Sequence, residues 1–252
     1  MKDTAEVKVK SLKKGLEVLN CFTEKQPLGV TEISEKLGLY KSNVHNILMT
    51  FKAMEYIEQD KESGKFYLGP AIFSLTRALN DRFDITKVAL PFMKQIVEEV
   101  HELVYLAVPS GDEVVYLEAL YPDMNFLASP PIRGERSKMY STSAGKAILS
   151  AYSKEELEEH LSRELIPFTE FTITDRGRLL EELEKIRQQG YAMDNMEVIY
   201  GIKCIGIPIL DQNNKPIAAL SISTPSLRMK EEKVEQFVKV LKKYVNEIEK
   251  RI

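Results

Sequence analysis

VTEISEKLGLYKSNVHNILMTFKAMEYIEQ, residues 30–59, sets two short apolar-patterned segments around one glycine. Ile33 and Leu37 space the first segment as a helix that Thr31 can cap. Gly38 ends it, because the residue just past a helix commonly takes the left-handed backbone that glycine adopts without strain. Leu39, Tyr40 and Lys41 follow. Ser42 suits the N-cap of a further helix whose Val44, Ile47, Leu48, Phe51 and Met54 face inward. Ser34 is small enough to let the two helices approach. Helix, tight glycine turn, helix is the helix-turn-helix layout. The outward face of the second helix is then Asn43, His45, Asn46, Thr50 and Lys52. A helix that only packs does not need so many small hydrogen-bonding groups on one side. Asparagine offers the donor and acceptor pair that matches an adenine edge, and Tyr40, Lys41 and Ser42 at the helix start are placed to hold phosphate.

The flanking sequence extends the module. In YIEQDKESGKFYLG, residues 56–69, two β-prone runs flank the turn ESG, a hairpin with Lys61 and Lys65 near its tip. A hairpin directly after a recognition helix is a wing, so residues 1–69 read as a winged helix-turn-helix domain. Upstream, Leu12, Leu16, Leu19 and Phe22 form one stripe of a helix from Ser11 to Phe22, and Pro27 and Gly29 break the pattern. Plain packing is the alternative for a glycine-linked helix pair, and the polar face together with the wing argues against it.

Downstream, Pro70 suits the first turn of a helix. Ile72, Leu75, Leu79 and Phe83 make residues 70–83 an amphipathic linker helix, whose stripe needs the neighbouring module or a second subunit to cover it. Asp84 can cap a short helix, and Pro91 is expected to start a fresh one through His101 with Phe92, Ile96 and Val100 inward. LVYLAVP and EVVYLEAL, then KCIGIPIL and PIAALSIS, read as pairs of strands across turns. Ser153 with Glu156 forms a capping box, Asp175 caps a helix closed by Gly190, and Val234, Phe237, Leu241, Val245 and Ile248 stripe a last helix. Hairpins with separate helices give an α+β domain on an antiparallel sheet over residues 84–252.

Composition is that of a globular chain: 252 residues, 44% hydrophobic and 29% charged. No apolar run approaches the ~20 residues of a membrane span. The N-terminus has no apolar core of a secretory signal, and Cys21 and Cys204 lack metal-type spacing, so a reducing cytoplasm is expected. Net charge is −3, with 13 Lys and Arg against 11 Asp and Glu in residues 1–82 and 22 against 27 thereafter. Charge only permits a nucleic-acid partner, and the motif geometry must carry the case.

STSAGKAILSA, residues 141–151, has three readings. Ser143 and Lys146 match the S-x-x-K of penicillin-binding enzymes, which would make a hydrolase attached to the N-terminal module, but the S-D-N and K-T-G partners do not occur. Gly145-Lys146 fails the phosphate-loop pattern. A helix start preceded by hydroxyls favours a small anion. Asp194 follows a glycine-terminated helix, Cys204 begins an apolar strand, and Ser221 and Ser223 share one strand face, where a polar ligand could partner them. His101 and His160 read as ordinary helix residues. No motif demands a cofactor or a metal.

Taken together, the chain resembles the IclR family of bacterial transcription regulators over almost its full length. The stretches that carry the resemblance are LKKGLEVLNCF, TEISEKLGLYKSNVHNILMTF, KFYLGPAIFSL, YSTSAGKAILSAYS, TITDRGRLLEELEKIRQQGYAMDNMEVIYGIKCIGIPI and AALSIS. It implies a winged helix-turn-helix domain, a linker helix and a C-terminal effector domain on a GAF-like sheet. It also implies dimers that can pair into tetramers on pseudo-palindromic double-stranded DNA, and a small organic, aromatic or sugar acid as effector, with repression the commoner sign. The family's effector residues fall here on Ser143, Ala144, Asp194, Cys204, Ser221 and Ser223, with Ile202 as an apolar wall. Ser143 stands where many members have glycine, and NME follows Asp194 where many have a second acid, so the ligand class stays open. A regulator that binds no ligand and acts through protein contacts is the remaining alternative.

Overall fold

Val18, Ile33, Val44 and Leu48 have no exposed surface, and the N-terminal part of the chain is assembled around them. The computed structural model describes residues 7–82, 85–122, 133–161 and 164–252. The chain divides into two compact units, residues 1–83 and 84–252.

In the first unit, α1 (Lys10–Asn20) runs into a short 3-10 turn at Cys21–Thr23, followed by α2 (Val30–Leu37) and α3 (Lys41–Ala53). The expected stripe of α1 is only half right. Val18, Cys21 and Phe22 are buried, whereas Leu12 and Leu16 are 61% and 50% exposed. The helix turns Gly15 toward the ring of Phe51, and Leu12 and Leu16 then fall on its outer side. Gly29, not Thr31, caps α2: the Glu32 carboxylate accepts the Gly29 N–H at 2.9 Å. Gly38 sits at φ +63, as its position after the helix requires. Ser34 is buried and donates to the Leu39 carbonyl at 2.5 Å, closing the turn. Tyr40, not Ser42, holds the N-cap position of α3. Extended backbone at Tyr40 already lets its carbonyl accept the Val44 N–H at 3.1 Å, and Ser42 becomes a residue of the first turn. Met54 is 59% exposed because α3 ends before it and the chain turns outward.

The wing pairs β1 (Ile57–Gln59) with β2 (Phe66–Leu68) in antiparallel register, and Leu28 exchanges both backbone hydrogen bonds with Phe66 on the other edge. Gly69 crosses the Glu55 carbonyl so closely that a Cβ would lie 2.3 Å from it. α4 (Ala71–Arg82) follows, with Phe73 79% and Leu75 54% exposed. The Leu79 side chain, Phe83 and Asp84 lie outside the described part of the chain.

The second unit opens with α5 (Ile85–Val100), which passes through Pro91 without a break. The expectation of a new helix at Pro91 is therefore corrected. A proline inside a helix removes one N–H and costs about 3 kcal/mol. Here Ile85 and Ala89 before it, and Phe92, Met93, Ile96 and Val100 after it, form one buried face that outweighs the loss. Strands β3 (Leu103–Ser110) and β4 (Glu113–Leu120) form the first hairpin, followed by the short β5 (Arg136–Lys138). Next come α6 (Ser143–Ala151), α7 (Lys154–His160) and α8 (Arg176–Gln189). The chain ends with β6 (Ala192–Asn195), β7 (Ile202–Leu210), β8 (Pro216–Pro225) and α9 (Glu231–Glu249). Ser153 with Glu156, Asp175, and Gly190 at φ +77 cap as expected.

The sheet is antiparallel throughout, in the order β5-β4-β3-β8-β7-β6. Its centre joins β3 to β8, with Leu103 opposite Ser223 and Tyr105 opposite Ser221. Strand alternation sends Val104, Leu106, Ile205, Ile207, Leu220 and Ile222 to the face covered by α5 and α9. The other face carries Ala107, Ala192 and Ala219, small enough for α6 to lie close, with α8 packed behind it. Two glycines permit that approach: a Cβ on Gly206 would lie 2.6 Å from the Ser143 backbone, and one on Gly145 would lie 2.3 Å from Met139 Cα.

Candidate functional site

On the first unit, Asn43, His45 and Asn46 project from α3 fully in the open, with Tyr40, Lys41 and Ser42 also exposed at its start. None of the Asn43, His45 or Asn46 side chains has a hydrogen-bond partner among the described residues, so their donors and acceptors are free for a ligand. The wing is fastened to the helix. Lys52 Nζ donates to Gln59 Oε1 at 2.9 Å, and the Gln59 amide donates to the Gly64 carbonyl at 3.0 Å. The two wing lysines differ. Lys61 is exposed, whereas the Lys65 ammonium lies 3.0 Å from Glu32 Oε2. Glu32 accepts the Gly29 N–H and sits between Lys65 and Lys25, which together hold its carboxyl down to about 2. Lys65 is therefore partly neutralised before it meets any phosphate.

On the second unit, a cavity of about 210 Å³ opens on the α6 side of the sheet. Asp194, Ile202, Cys204 and Ser223 line it, and cross-strand register accounts for their meeting: Asp194 lies opposite Cys204, and Cys204 opposite Ser223. Ser143, Ala144 and Ser221 are buried nearby but do not line it; Thr142, whose side chain caps α6 by accepting the Gly145 N–H at 3.0 Å, does. Sequence reasoning missed Tyr105 and Tyr116, whose rings stand 5.1 Å apart in the cavity wall, and Glu102, Glu135 and Arg228 at its margin. In the sequence Tyr105 is visible only as a residue of the strand LVYLAVP, and its place opposite Ser221 comes from the register. Arg228 follows β8 on a 3-10 turn that carries no periodic signal.

Burial dominates the electrostatics. Asp194 is 4% exposed, and removal from water pushes its carboxyl up to about 7, although Oδ1 accepts the Glu197 N–H at 2.7 Å. Burial, and then neighbouring Asp194, push the Cys204 thiol up as well. Behind Asp194, the fully buried Lys146 donates to Glu197 Oε1 at 2.5 Å. Glu197 Oε2 has no partner among the described residues, and burial raises that carboxyl above its usual range. Thr172 donates to the Glu197 carbonyl at 2.6 Å, so the segment 194–197 is anchored from two sides. Lys146 is thus committed as an ion-pair partner and is not a free base for Ser143. Among the described residues no group of three or more His, Cys, Asp and Glu side chains is arranged to hold a metal, and no helix is long and apolar enough to cross a membrane.

Comparison with known proteins meets this geometry from outside. The pattern of the IclR helix-turn-helix domain matches residues 11–61, and that of the bacterial transcriptional regulator IclR C-terminal domain matches residues 77–250. The HTH-type transcriptional regulator KdgR of Escherichia coli is 33% identical, covering 92% of this chain and 89% of its own. The HTH-type transcriptional repressor AllR of the same organism is 32% identical over 91% of this chain and 85% of its own. An IclR homolog from Microbacterium hydrocarbonoxydans, solved in complex with 4-hydroxybenzoate, is 26% identical with a TM-score of 0.83, covering 95% of this chain and 98% of that one. These relatives are regulators of transcription and not enzymes, and the α+β architecture with an N-terminal helix-turn-helix is theirs. A free polar helix face tied to a wing, a buried carboxyl beneath α6, and matches along nearly the whole sequence lead to one conclusion: the chain belongs to the IclR family of DNA-binding transcriptional regulators.

Proposed function

We propose that this regulator is a cytoplasmic repressor whose hold on a pseudo-palindromic operator is changed by a small organic, aromatic or sugar acid in the cavity beneath α6. The observation that carries the proposal is the pairing of an unpartnered polar face on α3 with a cavity in the second unit into which Asp194, Cys204 and Ser223 point polar groups. In this reading Asn43, His45 and Asn46 contact base edges, and Tyr40, Lys41, Ser42 and Lys61 contact phosphates, with Lys65 a weaker contributor. The domains work as residues 1–69 for reading, 70–83 for linkage and 84–252 for sensing. Leu12, Leu16, Phe73 and Leu75 are exposed apolar side chains of the first unit. A second copy covering them would place two reading heads on half-sites about one helical turn, ~34 Å, apart or multiples of it. Ligand binding then shifts populations of dimer or tetramer arrangements that fit or miss that spacing. A regulator without a small-molecule ligand is the competing reading.

Binding to promoter DNA tests the reading half. Asn46→Ala is expected to lose preference for cognate over scrambled DNA by about 1–3 kcal/mol. Lys61→Ala should weaken binding to both alike and lower the slope of log affinity against log salt by ~1. Equal loss on both DNAs for Asn46→Ala removes its assigned role.

A further inference from the structure

We propose that Arg228 is the counter-charge for the effector's carboxylate, and that Glu102 competes with that carboxylate for the same guanidinium. This rests on the reading that the cavity is the effector site.

The charge census of the cavity carries the argument. Three carboxyl side chains line it, Glu102, Glu135 and Asp194, and among the described lining residues Arg228 is the only cation. An acid entering past Glu102 and Glu135 is repelled unless it reaches Arg228. The guanidinium is placed for this. It donates to Glu102 Oε2 at 2.6 Å and, through Nε, to Thr224 Oγ1 at 3.4 Å. Those two bonds leave further donors of its five-donor fork for a second carboxylate. Glu102 is 7% exposed, while the Arg228 side chain is 48% exposed. The carboxylate is the fixed partner and the arginine the one with room to reorient. Arg228 also sits only a few residues beyond Ser223, on the turn that ends β8.

Asp194 stands on β6, two strands from β8, a lateral distance of about 10 Å, with Cys204 of β7 between them. Its carboxyl, raised to about 7, is protonated in much of the population at neutral pH and then offers an entering acid a hydrogen-bond donor rather than a full negative charge.

The alternative is that Arg228 and Glu102 merely clasp the turn after β8. Matched probes separate the two. Affinities are measured by titration calorimetry and thermal shift for gluconate against glucitol, and for 4-hydroxybenzoate against 4-hydroxybenzyl alcohol. Wild type, Arg228→Gln, Arg228→Lys and Glu102→Gln are compared, with unliganded melting temperature and operator binding as controls for folding. The expected result is that an acid binds wild type better than its neutral partner. Arg228→Gln then weakens the acid roughly ten- to a hundredfold and leaves the neutral probe unchanged. Arg228→Lys recovers part of the loss, and Glu102→Gln tightens the acid. Acid affinity unchanged in Arg228→Gln, or acid and neutral probes weakened alike, overturns the proposal. If the acid survives Arg228→Gln but is lost in Asp194→Ala, the effector reading stands and this one falls. No binding of any probe to wild type removes both.

Discussion

Replacing Asp194 by Asn isolates the most unusual group in the second unit. The fold raises its carboxyl from an ordinary 3.8 to about 7, chiefly by burial. A raised folded value means that the protein favours the protonated acid. The associated stability is full below about pH 4 and is lost as pH rises through about 7. Roughly three pH units at 1.36 kcal/mol each put the loss at up to about 4 kcal/mol. Asparagine cannot ionise, yet its Oδ1 can still accept the Glu197 N–H that Asp194 Oδ1 accepts at 2.7 Å. The variant should therefore match wild type near pH 4.5 and exceed it at pH 8.5. For a domain of this size each kcal/mol moves the midpoint ~2–4 °C, so the gap at pH 8.5 should approach ~8–16 °C. Thermal unfolding of both proteins from pH 4.5 to 8.5, with urea denaturation at the two ends, reads it directly. Parallel stability curves, or an Asn variant less stable at pH 8.5, would refute the argument that burial without adequate compensation governs this carboxyl.

Two further outcomes concern the support beneath the cavity. Lys146→Met leaves the Glu197 carboxylate buried without its cation and should cost about 3–5 kcal/mol at pH 7.5 in urea denaturation; adding Glu197→Gln should restore part of it, and a double variant as unstable as the additive sum would show the pair is uncoupled. Gly206→Ala places a methyl 2.6 Å from the Ser143 backbone, where no side chain can swing aside, so α6 must shift; a loss of at least about 1–3 kcal/mol is expected, and a melting temperature equal to wild type would show the crossing is looser than the structure has it.

The helix-turn-helix was largely legible because its signals are local. Gly38 marks one helix end, the i, i+4 spacing of Val44 and Leu48 marks the buried side, and the polar residues left over are the exposed ones. The same holds for the caps at Ser153, Asp175 and Gly190. Errors arose where several residues could satisfy one local rule. Tyr40 and Ser42 compete for one cap, and the structure decides through backbone geometry and not side-chain chemistry. Pro91 shows the opposite failure, a strong local signal overruled by a continuous buried face. The short strands β5 and β6 were missed because RSK and AMDN have neither length nor alternation to reveal them. The cavity was only partly readable because it depends on which distant strands meet. Asp194, Cys204 and Ser223 are joined by register across β6, β7 and β8, and Glu102 and Arg228 are 126 residues apart. The resemblance supplied four of the lining residues, but no pattern pointed to the charged margin.

The bonds from Lys52 to Gln59 and from Gln59 to Gly64 have an evolutionary consequence. They fix the pose of helix and wing through residues that face one another, and leave the exposed side chains of Asn43, His45 and Asn46 without a hydrogen bond to the fold among the described residues. Substitutions at such open surface positions usually move stability by less than about 0.5 kcal/mol. If these three side chains read base edges as proposed, a lineage can rewrite the letters at these sites, acquire a new set of target genes, and keep the scaffold and the second unit unchanged. Retargeting by duplication and drift would then follow from the division of labour between the residues that clamp and the exposed residues that are proposed to read.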